Sequence, residues 1–250
     1  MNRRETSWFS NRLNREMHIL VYGDGGYPLL VFQTQNSKCG NYEDFGMIDT
    51  LADYIDGGRI QVFCVDSVDE DSWSNESGDK AWRAWYQESY YHYIIEEVLP
   101  FIHGENHSDR RPIATGCSMG ATHAAIVCLR RPDLFEGMIA LSGVYDARYF
   151  FGGWMNSTLY DNSPVDFIGG MPADHPYVAL YNSRKYIFCV GQGAWEEEGI
   201  QTQRVLDAYF RAKGIQIWCD FWGYDVNHDW PWWKKQIRYF LPIVLEHCGA

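Results

Sequence analysis

No run of 18 apolar residues occurs in the 250-residue chain, so no segment reads as a membrane-spanning helix. The opening Met1-Asn2-Arg3-Arg4-Glu5-Thr6 is not followed by an apolar stretch, so no secretory signal is expected. Basic charge is scarce: 21 Lys and Arg stand against 33 Asp and Glu, a net charge of −12. The basic clusters are only pairs, at Arg3-Arg4, Arg110-Arg111, Arg130-Arg131 and Lys234-Lys235. A pair is too small to track a phosphate backbone or to hold an anionic bilayer, so nucleic acid and membrane are not expected partners. The seven cysteines, at 39, 64, 117, 128, 189, 219 and 248, are odd in number, and no two lie two to four residues apart. That spacing disfavours both a disulfide framework and a zinc ribbon. Cys64 and Cys189 sit inside the apolar runs Val62–Val65 and Ile187–Val190 and read as small buried hydrophobes, with a reducing cytoplasm as the expected compartment. Low-complexity linkers and internal repeats are also lacking, so residues 1–250 are expected to form one domain.

What the chain does have is apolar and aromatic content: 46% hydrophobic residues, with 11 Trp, 17 Tyr and 13 Phe. Strand-like runs alternate with helix-length segments. Met17–Tyr22 and Leu29–Gln33 read as strands, and the turn-rich Gly23–Pro28 between them suits an antiparallel pair. Tyr42–Ile55 reads as a helix, Ile60–Val65 as a strand, Ser67–Asp79 as an acidic loop and Ala81–Ile102 as a long aromatic helix ending near Pro100. Then come a short strand at Ile113–Thr115, a helix at Met119–Arg130 and a strand at Gly137–Leu141. Residues 143–184 show no clear period and are expected to form a cap-like insertion. Tyr186–Val190 and Ile215–Phe221 read as strands, Gln201–Lys213 and Trp232–Glu246 as helices. Such alternation implies a mostly parallel, twisted sheet with helices on both faces.

Within this pattern, Gly116-Cys117-Ser118-Met119-Gly120 joins a strand to a helix. A Gly-x-Ser-x-Gly turn in that setting lifts a serine hydroxyl above the sheet edge, and its glycines let the backbone turn without a Cβ clash. The Met119 N–H, at the helix start, is then placed to bind the oxygen of an acyl group. Cys117 should point back towards the sheet. A nucleophilic serine needs a base, and His228 lies in the polar loop Gly223–Trp230 after the last strand. His92 and His123 fall within helices, His18 in the first strand pair, and His103, His107, His175 and His247 in loops or at the C-terminus. The acid that orients the base should follow Tyr186–Val190, where Glu196, Glu197 and Glu198 stand in succession. Their chemistry is alike, so composition leaves the choice open. Trp154, Trp195 and Trp230 could line a pocket or pack in the core. Asp225 and Asp229 flank His228, but no second histidine is spaced to share a metal with it, so no metal and no cofactor are expected.

The segments Gly116–Gly120, Leu141-Ser142-Gly143-Val144-Tyr145-Asp146, Gly191-Gln192-Gly193 and His228-Asp229-Trp230 together resemble the esterase branch of the α/β-hydrolases. That group contains esterase D-like enzymes, feruloyl esterases and antigen 85 mycolyl-transferases. The resemblance covers nearly the whole chain and implies the α/β-hydrolase fold and hydrolysis of a small-molecule carboxylic ester. Antigen 85 relatives carry a glutamate about six residues after the first glycine of the Gly-x-Gly turn, which implies Glu197 as the acid. Other relatives have aspartate near the position of Ala194. The match through Gly40–Phe45 implies the Asn36 amide as second oxyanion donor, with Gln35 next, although many relatives have a glycine in this loop and this chain has none. The expected reaction runs through Ser118, His228 and Glu197 by way of an acyl-enzyme. Acyl transfer on the same triad, or a binding protein that has lost turnover, are the alternatives. Homo-oligomerisation is left open.

Overall fold

The computed structural model describes all residues, 1–250. Eight strands form one sheet: β1 (Arg3–Ser10), β2 (Arg15–Tyr22), β3 (Tyr27–Phe32), β4 (Ile60–Val65), β5 (Ile113–Cys117), β6 (Gly137–Leu141), β7 (Lys185–Val190) and β8 (Trp218–Phe221). Their spatial order is β1-β2-β4-β3-β5-β6-β7-β8. The β1–β2 and β2–β4 pairs are antiparallel and all others are parallel.

The alternation of side chains along each strand divides the core in two. Leu30, Phe32, Phe63, Val65, Ala114, Met138, Ala140, Tyr186 and Phe188 face one side. Leu29, Val31, Val62, Cys64, Ile113, Ile139, Leu141, Ile187 and Cys189 face the other. Both faces are apolar because both are covered, as expected of parallel strands joined by helical crossovers. The first face is covered by α4 (Lys80–Tyr93), α6 (Met119–Arg130) and α11 (Glu197–Ala212); the second by α1 (Asn41–Asp44), α2 (Met47–Thr50), α3 (Ala52–Asp56) and α12 (Trp230–His247).

Several sequence expectations are corrected here. β2 and β3 do not pair with each other; β4 lies between them, and β2 takes β1 as its other neighbour. The Gly23–Pro28 turn is therefore a crossing, and it passes hard against the Gly58–Ile60 corner that leads into β4. A Cβ on Gly26, at φ +102°, would lie 2.6 Å from the Gly58 carbonyl oxygen and the Ile60 nitrogen. The single helix read over Tyr42–Ile55 is three short ones, broken at Gly46 and Leu51. The long aromatic helix does not stop near Pro100. It passes through a π-helical turn, Ile94–Val98, straight into α5 (Leu99–Asn106), with Pro100 as the second residue of α5. β1 carries polar and exposed residues at most positions, which hid it from a search for apolar runs. The last strand is confined to Trp218–Phe221. Residues 143–184 contain four short helices, α7 (Arg148–Phe151), α8 (Ser157–Asp161), α9 (Pro164–Gly170) and α10 (Tyr177–Asn182). No helix is long and apolar enough to cross a membrane.

Candidate active site

Cys117, Leu141 and Cys189 are in register at the ends of β5, β6 and β7. The residues that follow therefore emerge at one level of the sheet's C-terminal edge, the edge where open parallel sheets place their sites. Ser118 is one of them. Its N–H donates to the Leu141 carbonyl (2.8 Å), and its backbone turns sharply, at φ +56° and ψ −125°, before α6 begins. The two glycines of the turn are sterically required. A Cβ on Gly116 would lie 2.3 Å from the carbonyl carbon of Gly120, and a Cβ on Gly120 would lie 2.3 Å from the Phe32 carbonyl oxygen. A non-glycine residue with positive φ is costly and persists only where the surroundings impose it.

The Ser118 hydroxyl lies 2.9 Å from His228 Nε2, and His228 Nδ1 lies 3.0 Å from Glu196 Oε2. His228 is held by its own N–H, which donates to the Ala194 carbonyl (3.0 Å), and by the edge of its ring against Trp233 (4.9 Å between centroids). The loops from β7 and β8 are knitted together beneath it: Gly193 N–H donates to the Val226 carbonyl and Ala194 N–H to Asn227 Oδ1, both at 2.8 Å.

The glutamate beside His228 is not the Glu197 expected from the sequence but Glu196. Glu197 is solvent-exposed at the start of α11, whereas Glu196 is only 1% exposed and reaches the imidazole. The cause is local. Trp195 adopts φ +67°, and this left-handed residue turns the chain so that Glu196 points inward. Once inside, its Oε1 accepts from the Ser142 hydroxyl (2.6 Å) and from the Gly191 N–H (3.3 Å), so both oxygens are used. Ser142, itself at φ +58°, accepts from Trp233 Nε1 at 3.0 Å. Sequence reasoning gave Ser142 and Trp233 no role. A signal for Glu196 did exist: the buried positions Gly199, Thr202, Gln203, Leu206 and Phe210 of α11 recur every three or four residues, and that stripe runs back to 196, not 197. Glu198 is exposed and lies at the cleft rim.

The two loop amides named from the sequence differ in their partners. The Asn36 N–H donates to Asp69 Oδ2 (3.3 Å) and so is already bonded within the protein. Gln35 borders the cleft and its N–H makes no bond within the protein. Met119 stands where the sequence put it, at the first position of α6 and on the cleft wall.

The cleft has a volume of about 290 Å³ and opens over Ser118 and His228. Val144, Tyr149, Phe150 and Trp195 supply its apolar wall. Phe150 is fixed from behind by Arg83, whose buried guanidinium donates to the carbonyls of Ser72, Trp73 and Phe150 at 2.8–2.9 Å. Of the three tryptophans picked from the sequence, only Trp195 reaches the cleft, 84% exposed. Trp230 stacks on Phe45 (4.7 Å, 9°), and Trp154 stacks on Phe151 against the core. Cys117 faces away, beside the Tyr42 hydroxyl (3.4 Å), and burial pushes its thiol up to about 12. No group of three or more His, Cys, Asp or Glu side chains is placed to hold a metal ion.

The family model described as "Putative esterase" matches residues 10–242. The chain belongs to this esterase family. The chain is accordingly a carboxylic ester hydrolase, and the sheet order and helical layers found here are those of the α/β-hydrolase fold. Among solved structures, a ferulic acid esterase superposes with a TM-score of 0.74 at 18% identity, covering 98% of each chain. The S-formylglutathione hydrolase FrmB of Staphylococcus aureus gives 0.70 at 17% identity, over 98% of this esterase and 96% of that chain. MPT51 of Mycobacterium tuberculosis gives 0.72 at 14%, over 99% of both. At these identities the likeness is one of fold. No curated protein matches the esterase in sequence.

Proposed function

We propose that this esterase cleaves small-molecule carboxylic esters through Ser118, His228 and Glu196, by way of an acyl-enzyme on Ser118. The observation that carries this reading is the unbroken chain of contacts from Glu196 to His228 (3.0 Å) to Ser118 (2.9 Å) at the floor of a cleft. Ser118 attacks the ester carbonyl while His228 Nε2 takes its proton. Glu196, a pure acceptor when ionised, holds Nδ1–H and so keeps Nε2 free to act as base. As the tetrahedral intermediate forms, its oxyanion is met by the Met119 and Gln35 amides, which replace water without reorganising. His228 then returns the proton to the leaving alcohol, and water repeats the sequence on the acyl-enzyme.

The cleft volume of about 290 Å³ suits a compact acyl or alcohol group, and its aromatic wall favours an apolar one. Residues 143–184 supply Val144, Tyr149 and Phe150 to that wall, which supports reading the whole chain as one hydrolase domain with this insertion as its cap. All seven cysteines are free thiols, which supports a reducing compartment.

The test is labelling by a fluorophosphonate probe together with a burst of p-nitrophenol from p-nitrophenyl acetate. Wild type should show both. Ser118→Ala should show neither, and a Ser118→Ala protein that still labels and turns over would refute the assignment.

A further inference from the structure

We infer that Asp69 and His123 form a buried positioning pair that sets the separation between the two halves of the oxyanion site, an inference that rests on the Ser118 reading above. The two halves come from different parts of the chain. Met119 opens α6, and Gln35 lies in the loop after β3. The β3–β5 ladder and the close packing of Gly120 on the Phe32 and Gln33 carbonyls bring their roots together, but the ladder ends at Phe32 and no backbone hydrogen bond ties Gln35 to α6. His123 lies on α6, four residues and one turn beyond Met119, and is 2% exposed. Asp69 lies in the loop after β4 and is fully buried. Its Oδ1 sits 2.8 Å from His123 Nε2, and its Oδ2 accepts the Asn36 N–H at 3.3 Å. One carboxylate thus spans from the helix that carries one donor to the residue next to the other.

Each part of this bridge is rigid. The Asp69 carbonyl accepts from the N–H groups of Ser72 (3.1 Å) and Ser74 (2.8 Å), which closes a turn around the carboxylate. The His123 ring is fixed between the Phe32 face (5.9 Å) and the edges of Tyr90 (5.0 Å) and Trp73 (6.4 Å). Asn36 is held at φ +60°, a strained value that points its N–H at Asp69 and leaves the Gln35 N–H without a partner in the protein. The Gln35 side chain is tied to the same turn, donating to the Ser74 hydroxyl at 2.6 Å.

Charge and polarity are an expensive way to fill a core, since two apolar side chains of equal volume would avoid the desolvation cost. Apolar side chains could not hold the Asn36 N–H, and that is the function the pair serves. Because an ionised carboxylate only accepts, Nε2 of His123 is the donor. Neither residue touches the reacting atoms. Both act through Gln35 and Met119.

The test uses the full chain and p-nitrophenyl acetate. Asp69→Ala removes both acceptor oxygens, so the Asn36 N–H and His123 Nε2 both lose their partner. We expect kcat and kcat/KM to fall together by about 10–100-fold with KM within about threefold, because an oxyanion contact is made mainly in the transition state. His123→Gln keeps a donor on the same helix face and should retain at least about a third of wild-type kcat, whereas His123→Leu should lose as much as Asp69→Ala. A folded Asp69→Ala protein with kcat within about twofold of wild type, or with its whole loss in KM, overturns the proposal. If Asp69→Ala does not fold, equal kcat for the Gln and Leu variants at 123 overturns it. Ser118→Ala assayed alongside separates the two readings: retained activity there refutes the nucleophile, whereas its loss beside an unaffected Asp69→Ala refutes the pair alone.

Discussion

The Gly116–Gly120 turn, which carries Ser118, and the Gly191–Gly199 turn, which carries Glu196, sit side by side at one sheet edge of this esterase, yet they are specified in different ways. At Gly116–Gly120 the demand is steric and local. Two positions have no room for a Cβ, and the strand before and helix after leave the serine only one direction. At Gly191–Gly199 three glutamates offer the same chemistry; the Trp195 backbone aims Glu196 inward, and the partners that receive it, Ser142 and His228, lie far along the chain. A local steric requirement leaves a motif in the sequence. A selection among like side chains by distant partners leaves almost none.

The contrast can be tested in order of expected effect. Ser118→Ala should lower kcat by about 10⁴–10⁶ with the fold intact, and adding His228→Ala should cost little more, since the two act as a unit. A double variant far slower than either single would show them to be independent. At the Gly191–Gly199 turn, Glu196→Gln should lower kcat on the order of 10⁴, because a neutral amide can stabilise the wrong imidazole tautomer. Glu197→Gln and Glu198→Gln should stay within about tenfold, being exposed. Similar losses at all three would dissolve the distinction drawn above.

Gly120→Ala should destabilise by about 1–3 kcal/mol in chemical unfolding, since its Cβ meets the Phe32 and Gln33 carbonyls at 2.3 and 2.7 Å and backbone cannot swing aside. An alanine accepted without loss would mean that the motif glycine is not steric. The smallest effect is at Cys117. Its thiol, raised to about 12 by burial, stays protonated at pH 8, so iodoacetamide should leave the folded enzyme's activity unchanged. Inactivation tracking alkylation at Cys117 would contradict this.

The same division runs through the fold. β4, β5, β6 and β7 were legible because burial on both faces leaves continuous apolar runs. β1 was not, since an edge strand half in water carries Arg, Glu and Ser. The pairing of β2 is not legible in the sequence, because turn residues indicate that the chain reverses, not which strand it will join. Asn36 and Gln35 are neighbours in one loop, and nothing in their side chains says which amide is left free; the carboxylate of Asp69, 33 residues on, decides it.

The sequence by itself determined the alternation of strands and helices, the serine at a Gly-x-Ser-x-Gly turn and the histidine in the last loop, because each is dictated by neighbours within a few residues: hydrophobic period, missing Cβ atoms, chain order. Only the tertiary structure decided that Glu196 and not Glu197 meets His228, that Asn36 gives its N–H to Asp69, and that Trp195 alone of three tryptophans reaches the cleft. Those outcomes turn on hydrogen bonds a few ångströms long between residues tens of positions apart, and which member of a chemically equivalent set makes them depends on where the packed backbone points each side chain.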